Sequence, residues 1–193
     1  ILSGQTDTDG IAISLNALAL NGAVLTDTSG NAALLTSSAV TSNASYIVDT
    51  TAPILKTMVF DKSSLKTSET ATVTFTFSED VSSTFTWNGT AGALSLTGGT
   101  LSAISSFVLS GSDYVATATF TPTAGSTSTG IVSTALAAYS DAAGNAGNVG
   151  SSASIAIDTA APSLTTMNIS GASGILSNTL NAGDVVEVTA TFN

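Results

Sequence analysis

The side chains able to do chemistry in this sequence are almost all oxygen donors. Thirteen Asp and Glu residues stand against three lysines, with no arginine, histidine or cysteine, giving a net charge of −10. Five oxygen donors stand out by position: Asp49, the adjacent pair Glu79 and Asp80, and Asp141 with Asn145 at the ends of DAAGN. Carboxylates and amide carbonyls suit a hard divalent cation, and Ca²⁺ takes six to eight such ligands at about 2.3–2.6 Å. Gly144 can adopt the positive φ that turns the chain back, so that Asp141 and Asn145 face one point. The same residues can instead act as turn caps, with Asp141 closing a tight turn and Asp49 bonding its own backbone. Asp27 and Asn31 of DTSGN, and Asp158, are weaker metal candidates, while Asp7 and Asp9 of TDTDG lack the rest of a calcium loop and read as a polar turn.

This inventory excludes much else. Without His or Cys there is no Ser-His or Cys-His nucleophile and no zinc site of ordinary ligands. Glu79 and Asp80, as neighbours on an extended chain, point to opposite faces and make a poor acid pair. No phosphate-cradling glycine loop or nucleophile elbow occurs, so no enzyme is expected. The acidic balance repels phosphates and argues against nucleic acid. The absence of cysteine removes disulfides as a source of stability. No apolar run approaches the ~18 residues of a membrane helix. The triplets at Asn43, Asn88 and Asn168 fit the N-glycosylation pattern and matter only in a glycosylating host. The chain is expected to be a piece of a longer secreted or surface protein.

The elements that must position these residues repeat. VDTTAP and IAIDTAAP place Asp49 and Asp158, and Pro53 and Pro162, at the same offset of 109 (158 − 49, 162 − 53), while Asp27 and Asp141 lie 114 apart (141 − 27). LKTSETATVTFTF recurs as LNAGDVVEVTATF; Thr57-Met58 match Thr166-Met167 at 109, whereas Leu65 and Leu180 are 115 apart, which places an insertion near 171–178. A period near 110 is a small domain rather than a solenoid repeat. The expected division is the last part of one unit (1–48), a complete unit (49–157) and the first part of a third (158–193).

Period-two alternation is the main local signal. Ala71, Val73, Phe75 and Phe77 alternate with threonines, as do Val186, Val188, Ala190 and Phe192, so each run is a strand with one buried face. Further strands are expected at 54–60, 84–87, 93–97, 104–109, 114–120, 131–140 and 154–158. Gly98-Gly99 reads as a turn and Gly111-Ser112-Asp113 as a hairpin. That number of short strands in ~110 residues specifies an all-β fold, an antiparallel β-sandwich of immunoglobulin type. Phe75, Phe77, Phe85, Phe107 and Phe120 are its expected core, with Trp87 either in the core or half-exposed beside a loop.

The ordered series VDTTAP, LKTSETATVTFTFSEDV, YVATATFTPTAG, YSDAAGN and IAIDTAAP resembles the bacterial Ig-like repeats found in tandem in large adhesins, biofilm-associated proteins and some S-layer proteins. The resemblance implies a non-enzymatic structural module outside the cell, stacked on neighbouring repeats and open to lateral self-assembly. Strand order in such a sandwich brings the start of the first strand, the loop after the second and the loop between the sixth and seventh to one end. Asp49, Glu79, Asp80, Asp141 and Asn145 would then meet at the junction with the preceding unit, where Ca²⁺ would stiffen the join. A carbohydrate- or protein-binding module is the alternative, and it gains if Trp87 is exposed. A filament subunit completed by strand exchange between its terminal segments is a further one.

Overall fold

A computed structural model of the chain describes residues 1–175 and 177–193, and no helix occurs among them. Strands β1 (Thr6–Asp7), β2 (Ile11–Ile13), β3 (Val40–Asn43) and β4 (Val48–Asp49) form two small antiparallel pairs, β1 with β4 and β2 with β3. The body follows with β5 (Leu55–Phe60), β6 (Ser64–Lys66), β7 (Ala71–Phe77), β8 (Leu94–Thr97) and β9 (Gly99–Leu101). It continues through β10 (Val108–Ser110), β11 (Asp113–Pro122), β12 (Thr127–Thr134), β13 (Gly150–Ser151) and β14 (Ile155–Asp158). A hairpin of β15 (Leu164–Ser173) and β16 (Val185–Phe192) ends the chain.

Two five-stranded sheets make the body. One has the order β10-β11-β7-β5, with β9 also on β11; the other has β13-β12-β14-β6, with β8 also on β12. The alternation in β7 decides which sheet face is inside: Ala71, Val73, Phe75 and Phe77 are buried and the intervening threonines half-buried. Across the interface lie Leu65, Leu94, Val132, Ile155 and Ile157. Phe77 is the hub of an aromatic cluster, with ring centroids 4.7 Å from Phe85, 5.2 Å from Tyr139 and 5.8 Å from Phe107. Complete burial of a Phe or Leu contributes ~1.5–3 kcal/mol, so this cluster and its aliphatic neighbours supply much of the free energy that holds the two sheets together. Phe107 is partly buried and packs against the core rather than within it.

The local expectations at 54–60, 93–97 and 114–120 correspond to β5, β8 and β11, and Gly111-Ser112 closes the β10–β11 hairpin. Four expectations need correction. Residues 84–87 are not a strand: Thr84 and Phe85 both donate backbone hydrogen bonds to Val81 O, and Trp87 makes an isolated bridge to Gly92. Strand formation in 104–109 begins only at Val108, and the strand expected at 131–140 starts and ends earlier, as β12. Gly98-Gly99 is not a turn within one sheet. Chain crosses there from β8 in the second sheet to β9 in the first, and Gly98, at φ 75°, lies where a Cβ would approach Thr129 O to 2.5 Å.

The β15–β16 hairpin reproduces the β5–β7 pair register for register. Leu55 pairs with Phe77, a bulge follows, and Met58 then pairs with Phe75 and Phe60 with Val73. Leu164 pairs with Phe192, a bulge follows at the same place, and Met167 pairs with Ala190 and Ile169 with Val188. The apolar face is buried in the body, whereas Met167, Ile169, Val188 and Phe192 are exposed in the hairpin. Leu176, inside the expected insertion at 171–178, lies outside the described residues.

Candidate metal centre

Asp49 ends β4 and leads into β5; Glu79 follows β7; Asp141 opens the turn after β12. Two bonds tie the chain entering β5 to the end of β7, next to Glu79: Ser78 N donates to Ile54 O at 2.9 Å and Ile54 N donates to Ser78 Oγ at 2.9 Å. A second clasp holds the loop after Glu79 to the base of the Asp141 turn: Ser140 N donates to Thr84 Oγ1 at 3.1 Å, and that hydroxyl donates to Ser140 O.

The Asp141 turn closes on itself. Asp141 Oδ1 accepts Asn145 N and Oδ2 accepts Asn145 Nδ2, both at 2.8 Å, and Gly144 takes φ 90° between them. Asn145 Nδ2 also donates to Asp49 O at 3.1 Å, so one amide braces the turn against the incoming chain. Asp49 Oδ1 accepts Thr51 N at 3.0 Å, the local backbone bond open to an aspartate before a turn.

Asp49, Glu79 and Asp141 each bring one carboxylate oxygen within 4.8 Å of the other two. Asp141 is buried and the other two half-buried. Two ligands on opposite sides of Ca²⁺ stand roughly 4.8 Å apart, twice a bond of about 2.4 Å, so the trio has the dimensions of an oxygen-ligand set. Asp80, next to Glu79, is exposed and outside this group; its Oδ1 accepts Ser82 N at 2.9 Å. Side-chain and backbone bonds from Ser82 hold its carboxyl below the usual aspartate range. Asn145 touches the trio as a donor, so it serves as a brace unless its amide turns to offer oxygen.

The weaker candidates stand apart. Asp27 repeats the Asp141 turn bond for bond: Oδ1 accepts Asn31 N at 2.9 Å and Oδ2 accepts Asn31 Nδ2 at 2.8 Å. Asn31 in consequence keeps the Asp27 carboxyl below its ordinary value. Among the described residues Asp27 belongs to no carboxylate cluster. Asp158 lies opposite Lys66 on the parallel β14–β6 pair, in a groove it shares with Asp61, Lys62 and Glu69. Trp87 is 9% exposed and donates Nε1 to Leu101 O, so its ring belongs to the core and offers no platform to a ligand. Tyr139, also buried, receives Leu55 N at 3.1 Å and donates to Asn148 Oδ1 at 2.7 Å. That tyrosine carried no signal of its role in the sequence beyond its place before DAAGN.

Electrostatics at the trio are unfavourable in the bare protein. Burial first, then the charges of Asp141 and Asp49, push the Glu79 carboxyl above its ordinary value. The folded state therefore holds this proton to higher pH than the unfolded state does. The stabilising contribution is complete below the ordinary glutamate range and is lost as pH rises through the raised folded value. In chelator, melting temperature is expected to fall by a few degrees at most as pH rises above the ordinary glutamate range, and Glu79→Gln to flatten that fall. An unchanged slope in the variant would place the titration elsewhere.

Residues 49–159 match the family model described as the bacterial Ig-like domain. Comparison with the curated proteins gives no match, and comparison with the solved structures gives none.

Proposed function

The chain belongs to the bacterial Ig-like domain family, and from this premise we propose that it is a structural spacer in a long secreted or surface-attached protein, with Ca²⁺ stiffening the joins between successive units. Domains of this family are typically non-catalytic and common in surface and extracellular proteins. Stacking in tandem is supported by the repeated register of β5–β7 in β15–β16 and by the repeated Asp-to-Asn turn at Asp27 and Asp141. The observation that carries the metal reading is the trio of Asp49, Glu79 and Asp141 at the residue through which the preceding strands enter the sandwich.

Asp49, Glu79 and Asp141 would hold the ion, and Asn145 would keep the turn and the linker in place around it. When bound, Ca²⁺ supplies positive charge against three converging carboxylates and fixes the angle of the join. The exposed turn residues Ala142 and Ala143 share a cleft with Ile1, Ile47 and Val48 of the preceding segment. A rigid Asp141 turn is thus passed directly to the neighbouring unit. Such a module would project an adhesive tip or build a surface layer.

Thermal unfolding in millimolar Ca²⁺ and in chelator tests this. At ten to a hundred times Kd the ion adds about 1.4–2.7 kcal/mol, which at ~4 °C per kcal/mol gives a rise of roughly 6–11 °C. Magnesium is expected to give a smaller rise, because it demands near-octahedral geometry and sheds water reluctantly. Superimposable melts with and without Ca²⁺ would sink the metal reading and leave a metal-free spacer.

A further inference from the structure

We propose that β10 is a self-association edge, on which a second copy of this chain pairs antiparallel about a twofold axis at Val108. β10 ends its sheet: one side pairs with β11 through Val108, Leu109 and Ser110, and no strand among the described residues pairs with the other. An unpaired edge is a row of backbone donors and acceptors ready for another chain. Val108 and Leu109 stand 64% and 59% exposed on it, although apolar side chains of that size gain by burial.

The other sheet edges are guarded. At β5, Leu55 N is taken by Tyr139 OH and Asn148 Oδ1, and a bulge follows within the strand. β6 is three residues long, ends on Lys66 and gives the backbone N of that lysine to Glu69 Oε2. β8 exposes Ser95 and Thr97 and keeps Leu94 buried. β10 has no charge, no proline and no bulge, the devices that keep an edge from pairing.

Sequence and charge select a second copy as the occupant. Residues 106–110 read SFVLS, so antiparallel pairing centred on Val108 sets Phe107 against Leu109, Ser106 against Ser110 and Val108 against itself. Apolar residues then meet apolar ones directly across the join, and the exposed Leu109 is covered by a Phe107 ring that already packs on its own core. A chain of net charge −10 repels its copies, which can approach only where charge is absent. Between Asp80 and Asp141 the one charged residue is Asp113, and its carboxylate is paired with Lys56. The joined sheet runs from β5-β7-β11-β10 of one copy into the same strands of the other. One short strand buries less than the ~1,200–2,000 Å² of a stable interface, so the dimer is weak and reversible.

Sedimentation equilibrium of the 193-residue chain, over concentrations reaching millimolar, tests this. The average mass is expected to climb from 18.9 kDa toward that of two chains. Val108→Lys and Val108→Asp each place like charges opposite one another on the axis, and each is expected to weaken association about tenfold or more. An equimolar mixture of the two variants sets Lys against Asp and is expected to restore it. Both substitutions fall on an exposed residue, and an unchanged melting temperature shows that they fold. A mass of one chain throughout overturns the proposal and leaves the edge to a strand of another protein. A dimer that both variants leave intact overturns it, as does one lost in both and not regained on mixing. In chelator no ion can bridge two copies, so the result does not depend on whether Asp49, Glu79 and Asp141 bind Ca²⁺.

Discussion

Replacing Phe77 with alanine is expected to destabilise the body by ~3–5 kcal/mol, the range found when a buried phenylalanine is truncated. Its side chain is fully buried and meets three other rings, those of Phe85, Phe107 and Tyr139. Few of these neighbours can collapse into the space left behind. Tyr139 is pinned through its hydroxyl to Leu55 N and Asn148, and Phe85 sits in a turn tied to Val81. A loss of this size is a large part of the ~5–15 kcal/mol that holds a domain of ordinary stability. Urea unfolding followed through Trp87 emission measures it. A loss below about 1 kcal/mol would mean that the aromatic cluster is not the centre of the core.

Asp141→Ala is expected to cost roughly 3–5 kcal/mol in Ca²⁺ and about 1–3 kcal/mol in chelator. The smaller figure is the loss of the acceptor for Asn145 N and Asn145 Nδ2 at a buried position. The difference is the ion's contribution at ten to a hundred times Kd. Because the turn and the metal are separate terms, the two buffers separate them. An equal loss in both would assign Asp141 to the turn alone. Asp27→Ala, which removes the same local bonds from an exposed turn that belongs to no carboxylate cluster among the described residues, serves as the control and is expected to show no Ca²⁺ dependence.

The fold was legible where one face of a strand is buried and the other wet, as in β7, because a period of two then records which residues are inside. β6, three residues long, has no period to read, and its parallel pairing with β14 rests on contacts made far away in the chain. Residues 84–87 carry β-branched and aromatic residues suited to a strand, yet Phe85 and Trp87 are buried from a turn, since burial rewards apolar area irrespective of backbone form. Gly98-Gly99 has the composition of a turn, and only the packing of two sheets shows that the pair carries the chain from one to the other.

The candidate site divides in the same way. Composition alone confines its chemistry to oxygen ligands, because no His, Cys or Arg exists to do anything else. The spacing in DAAGN likewise specifies a turn in which Asp141 and Asn145 meet, an interaction spanning four positions. Which carboxylates join them was beyond local reading. Glu79 and Asp80 are equivalent by composition and adjacent in sequence, but successive side chains of an extended chain diverge, and it is Glu79 that the fold brings to Asp49 and Asp141, beside the Ile54–Ser78 bonds between the start of β5 and the end of β7. Local alternation and turn chemistry are short-range and written in neighbouring residues; the meeting of residues 49, 79 and 141 depends on two sheets closing on a common core, which no short stretch of chain contains.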